Sequence, residues 1–374
     1  MAAIRAVSYL LLTLIAAPSF AQKTVATGPI LIGQSAGLTG GQAAYSVDVR
    51  TGIESYFSAV NKGGGVNGRQ LKLISEDDLG KKDKVLDNTK KLVETDRVTA
   101  LIGYTSGAGV EASLEYLEKV RVPMLSPMTG NMGIRAAFHK SLFHTRAGYD
   151  DEMKRLIGSL ALALKSFAIV YLDDVGPANP KAMHEALAAN NLRAVAEVPI
   201  NRNAADFNAA VDTLLKAKPE VVVFISNGPP IVKIIQGLRG KGYGGQFATS
   251  SFSGLKVIED LKGMAAGLIV SQVLPQPERT HLKVVRDYQQ HLQEFAPAAK
   301  PNYTSLEGYV AARVLVEGLS RAGNNLSPEK LVAAFEEMRK VDLGGYEISF
   351  SSKSHDGSRF VNTGVVSPEG VVRF

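Results

Sequence analysis

The sequence predicts an α/β protein built from two doubly wound parallel sheets. Short apolar runs alternate with amphipathic helical segments, an order that requires right-handed crossovers between parallel strands. The alternation begins again after Thr145, so the chain holds two such series. Its length of 374 residues suffices for two globular domains.

The first series begins with a buried strand at 30–33 and an amphipathic helix at 45–60, whose apolar residues recur at three- and four-residue spacing. Glycines 63–65 end this helix, because glycine accepts the positive φ of a helix C-terminus. The turn dipeptide Asn67-Gly68 then reverses the chain. The remaining predicted strands of this series are 70–76, 98–103 and 122–126, and the helices are 85–93 and 110–120.

The second series follows a junction near 146–149 that has no Pro/Gly/Ser-rich tether. Three further helices and two short strands come after the Pro-rich segment 274–277, and we expect them to complete the two earlier sheets. The predicted helices are 151–165, 181–189, 207–217, 231–238, 282–295, 306–322 and 328–338, and the strands are 167–172, 195–200, 221–226, 246–249, 346–349 and 364–367.

Composition excludes several kinds of chemistry. The chain has no cysteine, which removes thiol nucleophiles, thiolate zinc sites and iron–sulfur clusters. Its formal charge of +6 comes from 42 basic and 36 acidic residues that are interspersed. No basic stripe carries interleaved aromatic residues, so we expect no nucleic-acid partner.

The N-terminus carries the pattern of a secretory signal. Residues 1–21 hold one positive charge at Arg5, an apolar run, and the small residues Ser19 and Ala21 before a cleavage point. The apolar run is too short to span a bilayer. We therefore expect an exported, periplasmic protein.

A set of short motifs is spread over almost the whole chain: Leu38-Thr39-Gly40, Gly52, Asn61, Gly64 to Arg69, Asp77-Asp78, Leu101-Ile102-Gly103, Pro123, Ser126-Pro127 and Gly308-Tyr309. Together they resemble the motifs of the leucine/isoleucine/valine-binding family of periplasmic solute-binding proteins.

This resemblance implies the type I periplasmic binding fold, with two lobes joined by a three-strand hinge. Lobe one would comprise 22–146 and 274–351, and lobe two 147–273 and 352–374. The implied protein is a non-enzymatic, monomeric component of an ABC importer that delivers a small solute to a membrane permease, without metal or cofactor. A sensing receptor lobe that does not transport remains open.

Two of the predicted loops are suited to binding the carboxylate of a ligand. Unpaired amides and the helix dipole favour negative charge at a helix N-terminus, and the segments 104–108 and 127–130 both follow strands. The family's two carboxylate-binding hydroxyls fall on Gly107 and Gly130, beside Ser106 and Thr129. We expect Gly107→Leu to block the ligand and scarcely alter the fold.

Other family positions are not matched. The acid that pairs with an amino group falls at Ser251, and Asp150, Asp173 and Asp174 are expected substitutes, so the ligand's identity stays open. The aromatic and hydroxyl candidates have alternative roles as loop packing or helix caps. The candidate ligand-binding residues are Tyr45, Tyr104, Ser106, Gly107, Met128, Thr129, Gly130, Asp150, Asn227 and Ser251.

Two enzyme motifs are matched weakly. Gly33 to Gly37 has the pattern of a nucleophile elbow around Ser35, which makes a secreted serine hydrolase the alternative function, but no helix follows directly. The dinucleotide-like run 107–112 lacks its acidic partner after the next strand. The six histidines lack metal-ligand spacing.

Overall fold

The computed structural model describes residues 28–174, 176–254 and 256–374. The predicted export signal at 1–21 lies outside these residues. The described chain folds around two sheets, each with helices on both faces, and the predicted fold class is confirmed. None of the helices in these ranges is long and apolar enough to cross a membrane.

The first sheet has five parallel strands in the order β2-β1-β3-β4-β5. The turn at Asn67-Gly68 forms as predicted, with both residues at positive φ and Val66 paired to Arg69. The elements are β1 (Ile30–Ala36), α1 (Ala43–Lys62), β2 (Leu71–Asp77), α2 (Lys82–Lys90) with a π-helical turn at Lys91–Thr95, β3 (Ala100–Ile102), α3 (Gly107–Val120), β4 (Met124–Leu125) and β5 (Leu142–Phe143).

The second series builds a larger sheet around a very apolar central strand, β8. Its elements are α4 (Tyr149–Leu160), β6 (Phe167–Leu172), α5 (Ala178–Ala188), β7 (Ala194–Ile200), α6 (Asn208–Ala217), β8 (Val221–Ile225), α7 (Gly228–Gly240), β9 (Gln246–Thr249), α8 (Lys256–Leu261) and β10 (Ile269–Gln272).

The late helices pack against the first sheet and two late strands extend the second, but, contrary to expectation, the first sheet gains no strand from this part of the described chain. Helices α9 and α10 contribute Tyr288 and Leu306 to the core beneath the first sheet, together with Ile32 and Ile102. These elements are α9 (Lys283–Phe295), α10 (Tyr303–Ala322), α11 (Pro328–Glu336), β11 (Val341–Asp342), β12 (Glu347–Ile348), β13 (Asn362–Val366) and β14 (Val372–Arg373).

Two details differ from the prediction. Strands β11 and β12 pair with each other in a small antiparallel sheet of their own. Strands β13 and β14 join the second sheet antiparallel, giving the order β14-β13-β10-β9-β8-β6-β7. A short connection between β13 and β14 allows only the antiparallel direction, because a parallel pair needs a long crossover.

The chain passes between the two sheets three times, at 144–148, at 273–282 and at 349–361. The spatially adjacent ends of these segments are tied together: the Oη of Tyr346 donates to the carbonyls of Thr145 (2.8 Å) and Val273 (3.2 Å). The predicted residue boundaries of the two lobes stay a prediction.

Helices α1 and α10 pack backbone to backbone. A Cβ atom on Gly52 would lie 1.9 Å from the carbonyl oxygen of Ser305, and one on Gly308 would lie 2.2 Å from that of Val49. Both family-motif glycines are therefore required by the close approach of the two helices. This contact fixes the position of α10 beside the space between the lobes.

Candidate functional site

Two spaces lie between the lobes, and Phe252 lines both. The first is a residual void of about 10 Å³ between Gly107 and Thr129 on one side and Tyr149, Leu172 and Ile225 on the other. That volume is about one water molecule. The second is a pocket of about 450 Å³ that also has walls from both lobes.

The first turn of α3 faces the smaller space. Ser106 caps this helix, and its hydroxyl accepts from the amide of Gly109 at 3.1 Å. Within the described residues the amides of Gly107 and Ala108 have no acceptor. Two N–H donors at the positive end of a 14-residue helix are therefore available to an anion.

The loop after β4 forms the opposite edge of this space. Thr129 turns its hydroxyl toward the Oη of Tyr149, 3.4 Å away, and also accepts from the amide of Asn131 at 3.1 Å. The carbonyl of Gly130 accepts from the amide of Tyr149 at 2.8 Å, while its own amide has no acceptor in the described chain. This amide is a third unpaired donor, next in sequence to Thr129, which lines the space.

Aromatic side chains from the two lobes meet in the larger pocket, next to this space. Tyr45 of α1 donates from its Oη to the carbonyl of Met128 at 3.2 Å. Its ring meets that of Phe252 edge to face, with centroids 6.1 Å apart. Burial, with the carboxylate of Glu307 nearby, raises the pKa of Tyr45, so this hydroxyl stays protonated.

A buried charged group, the hinge ion cluster, lies beside these aromatic residues and consists of Arg146, Glu152 and Glu307. Arg146 donates from Nη2 to Glu152 and from Nη1 to Glu307 Oε1 at 3.3 Å. The three side chains are only 1%, 0% and 8% exposed, respectively. Because two carboxylates share one guanidinium, the cluster carries one negative charge in excess when both carboxylates are ionised.

Glu152 and Glu307 differ in the number of hydrogen bonds that they accept. Glu152 also accepts from the amide of Ser251 at 2.8 Å, from its hydroxyl at 2.9 Å, and from Ser271. Glu307 accepts only from Arg146 among the described residues. Burial raises the pKa of Glu307, with Arg146 opposing that effect and Glu152 adding to it.

The larger pocket offers polar groups of its own. Gln42 is 7% exposed, and neither its Oε1 nor its Nε2 has a hydrogen-bond partner in the described chain. Asp48 lines the same pocket, and burial raises its pKa. Gln42 can thus both donate to and accept from a bound molecule.

Seven of the ten predicted site residues lie around these two spaces or the hinge ion cluster. Ser251 is a partner of Arg146 and Glu152 rather than a free hydroxyl. The residues concerned are Tyr45, Ser106, Gly107, Thr129, Gly130, Asn227 and Ser251.

The side chains of the other three predicted site residues lie outside the two interlobe spaces and the hinge ion cluster. Tyr104 is fully buried in the core beneath α2, where its Oη accepts from Thr89 at 3.2 Å. The carbonyl of Met128 accepts a hydrogen bond from Tyr45, but the Met128 side chain lies in the core. Asp150 lies in the first turn of α4 and lines neither pocket. Of the other expected substitutes for the family's acid, Asp174 is paired with Arg202 at 2.6 Å.

The expectation that Gly107→Leu would scarcely alter the fold is wrong. Gly107 is buried, and a Cβ atom there would lie 2.7 Å from Thr129 Oγ1 and 3.1 Å from Asn131 Cβ. A leucine would displace the loop after β4. Loss of binding in that variant would not separate a blocked site from a damaged one.

Sequence reasoning missed the hinge ion cluster and Gln42. Glu152 and Glu307 stand on helices, where a carboxylate is normally solvated. A signal was present in the segment 303–312, in which Glu307 is the only charged residue of ten. A lone acid in an apolar helix is rarely buried without a partner.

Ser35 has no elbow geometry. It lies within β1, is fully buried, donates to Asp78 Oδ2 at 3.3 Å and accepts from Asn88 at 3.0 Å. The exposed strand-to-helix turn that a hydrolase nucleophile needs is therefore not formed here.

We predict that Ser35→Ala lowers the free energy of unfolding by about 1–3 kcal/mol, because Asp78 and Asn88 lose a buried partner. Solute affinity should not change, and neither wild type nor variant should hydrolyse p-nitrophenyl acetate above background. Chemical denaturation and an esterase assay measure both. Hydrolysis by wild type that disappears in the variant would contradict this structural role.

A separate open groove of about 650 Å³ lies on lobe two between α5 and β7. Tyr171, Pro177, Pro180 and Pro199 give it an apolar wall, and His184 is paired with Glu197 at 3.1 Å. It receives no residue from the first sheet, so it is distinct from the interlobe site.

Comparisons with known proteins agree with this geometry. A family model described as periplasmic binding protein matches residues 29–367. Leu/Ile/Val-binding protein homolog 2 of Brucella abortus is 26% identical over 332 residues, which cover 87% of this chain and 86% of the relative.

Solved structures match over almost the full described length. An extracellular ligand-binding receptor from Verminephrobacter eiseniae is 28% identical with a TM-score of 0.86, covering 93% of this chain and 100% of that one. A substrate-binding periplasmic protein from Ralstonia solanacearum is 27% identical with a TM-score of 0.86, covering 92% and 99%. The chain belongs to the periplasmic binding proteins, in the leucine/isoleucine/valine-binding family, and the resemblance seen in its motifs is confirmed.

Proposed function

We propose that this protein captures a small amino-acid-like solute between its two lobes and delivers it to an ABC permease. The observation that carries this proposal is the pair of unpaired α3 amides at a space that residues of both lobes line, next to the contact between Tyr45 and Phe252. An anionic end of the solute would bind there. The names of the Brucella relative and of the family support a solute of the branched-chain amino acid type.

The carboxylate of the solute would accept from the amides of Gly107, Ala108 and Gly130. Donors held by the backbone are already in place, so binding needs no side-chain ordering at this end. The hydroxyls of Thr129 and Tyr149 stand beside these amides. Ser106 would act indirectly, by capping α3 and leaving the two amides before Gly109 unpaired.

The amino group of the solute would lie near Glu307. The family's acid is replaced by Ser251, and the unshared negative charge of the hinge ion cluster supplies the missing carboxylate. A charged amine buried without an opposite charge would be costly. Gln42 and Asp48 would face the remainder of the solute from the larger pocket.

We predict that Glu307→Gln lowers affinity for the amino acid about 10- to 100-fold, the roughly 1.5–3 kcal/mol of a hydrogen bond to a charged group. Affinity for the des-amino acid should not change. Because folding raises the pKa of Glu307, its charge costs stability at neutral pH, and the variant should keep its stability.

Calorimetry on wild type and Glu307→Gln measures this, with Glu317→Gln as control, an exposed acid on the same helix. Wild-type affinity should fall as the pH drops through the raised pKa of Glu307, since a neutral carboxyl loses its attraction for the amine. If Glu307→Gln lowered affinity for the amino acid and for the des-amino acid equally, the amino group would not lie near Glu307.

The proposal itself is tested by a thermal-shift screen of amino acids, their des-amino acids and other small carboxylates. A solute that binds only the folded state raises the melting temperature, by about 2.7 kcal/mol of stabilisation at a hundred times its Kd. At least one carboxylate should give a saturable shift. A screen in which only uncharged compounds bind would overturn the proposal.

The delivery step also needs export. We propose that residues 1–21 direct the chain to the periplasm and are removed there. The sequence pattern of Arg5, an apolar run and the small residues Ser19 and Ala21 supports this step. A mature N-terminus at Gln22, read by mass spectrometry of secreted protein, is the expected result.

A further inference from the structure

Arg202 is a largely buried cation of lobe two that lines the smaller of the two interlobe spaces. It follows β7, and its side chain is 9% exposed. Leu172 at the end of β6 lies opposite Ile200 at the end of β7. Asp174 and Arg202 each follow by two residues, so the register of the sheet brings them together. The carboxyl ends of parallel strands form the edge at which such sheets bind ligands.

Asp174 occupies only part of the Arg202 guanidinium. The Nε of Arg202 lies 2.6 Å from Asp174 Oδ2, and Nη2 donates to Asp174 Oδ1 at 2.8 Å. Nη1 has no acceptor within the described residues and, unlike Nε, is not fully enclosed. Buried N–H groups normally find acceptors, so a free nitrogen on a largely buried arginine indicates a partner that is still to bind.

The smaller space is narrow enough for one group to reach both of its walls. Its volume of about 10 Å³ is that of about one water molecule, and Arg202 lines it together with Gly107 and Ala108 of lobe one. The lobes are already in contact around it, since the amide of Met132 donates to Asn179 Oδ1 at 2.8 Å. The guanidinium and the unpaired α3 amides therefore border one gap from different lobes.

Arg202 is the only charged residue among those that line this space. Asp174 lies outside the lining, and Asp78 of lobe one accepts hydrogen bonds from donors of its own lobe. A guanidinium has enough N–H donors to bind two carboxylates, as Arg146 does in the hinge ion cluster. Arg202 can thus keep its pair with Asp174 and bind a second anion through Nη1.

We propose that Arg202 is the anchor in lobe two for the anionic end of the solute, an assignment that rests on the proposed function. The solute carboxylate accepts from the amides of Gly107 and Ala108 in lobe one and from Arg202 Nη1 in lobe two. Its two oxygens have acceptor sites for both sets of donors. The anion then bridges the lobes, so its charge stabilises the closed state as well as the first contact.

The test is calorimetry of the full chain with L-leucine and L-leucinamide, or, if leucine does not bind, with the carboxylate that the thermal-shift screen selects and its primary amide. Arg202→Met should weaken binding of the acid about tenfold or more and binding of the amide less than about threefold. The acid-to-amide ratio of affinities should therefore fall from about a hundredfold to about tenfold, because the α3 amides remain. Arg202→Lys keeps the charge but not the planar fork, so it should give an intermediate ratio. Arg193→Met, at an exposed arginine of lobe two, should leave the ratio unchanged.

The ratio separates an anchor from a structural residue, because a structural role would lower both affinities by the same factor. Circular dichroism checks that each variant is folded. If Arg202→Met fails to fold, Arg202→Gln and Arg202→Lys are compared in the same way. A wild-type ratio in the folded variants would overturn the anchor and leave the proposed function standing. Equal affinity of the wild type for acid and amide would instead contradict the proposed function, and the anchor with it.

Discussion

Arg146→Met should lower the free energy of unfolding by about 3–5 kcal/mol, the cost of leaving a buried charge without its partner. Arg146 is 1% exposed and is the cation between Glu152 and Glu307. Methionine fills much of the same space but leaves two carboxylates facing each other out of water. Urea denaturation followed by circular dichroism measures the loss, since the chain has no tryptophan.

The matched control is Arg193→Met, at an exposed arginine of lobe two, which should change stability by no more than about 0.5 kcal/mol. Adding Glu152→Gln and Glu307→Gln to Arg146→Met should recover most of the loss, because the uncompensated charges are removed. The two lobes can unfold separately, so midpoints are compared as well as free energies. A wild-type midpoint for Arg146→Met would show that the guanidinium does not neutralise the cluster.

The second large effect concerns the anionic end of the solute. Replacing the carboxylate of the best solute by a primary amide should weaken binding about a hundredfold, on the order of the 3 kcal/mol that charge-assisted hydrogen bonds contribute. The amide keeps a carbonyl acceptor but loses the charge that the N-terminus of α3 favours. Calorimetry compares the two compounds on the same protein.

An analogue changed only in its side chain is the matched control compound. It should change affinity through contacts in the larger pocket. The ratio of the affinities of the acid and its amide should stay the same, since the carboxylate and the side chain of the solute are held by different groups. Equal affinity for acid and amide would contradict a carboxylate at Gly107, Ala108 and Gly130.

Much of the fold could be predicted because strand and helix periods are local. The strand at 167–172 and the strand at 246–249 were predicted with their observed bounds. Strand β10 was not predicted, although Gly267, at a φ of +83°, stands two residues before it as a turn signal. The pairing of β11 with β12 depends on two residues in each strand, which is too short for a pattern.

The site was predictable where it depends on backbone at strand ends. Gly107 and Gly130 come together because β3 and β4 are neighbours in a parallel sheet. Tyr104 was predicted at the site, but Gly103 before it has a φ of +63°, and the Tyr104 side chain packs under α2 instead. Arg146, Glu152 and Glu307 could not be paired from sequence, because Glu307 is 161 residues from Arg146 and the contact exists only after the chain has crossed between lobes.

The central claim is that the solute is held between the two lobes, and a disulfide across the entrance tests it most directly. A Cβ atom on Gly41 of lobe one would lie 3.8 Å from Pro229 Cγ of lobe two, so these two positions face each other and are the pair chosen for the cystine. The natural chain has no cysteine, so Gly41→Cys with Pro229→Cys introduces the only two thiols. Either single variant is the control.

The measurement is exchange of radiolabelled solute through a desalting column, before and after oxidation confirmed by mass spectrometry. We expect the oxidised double variant to retain solute loaded beforehand and, when oxidised empty, to take up none. Reductant should restore both release and uptake. An oxidised double variant that binds and releases solute as freely as the reduced one would contradict a site enclosed between the lobes.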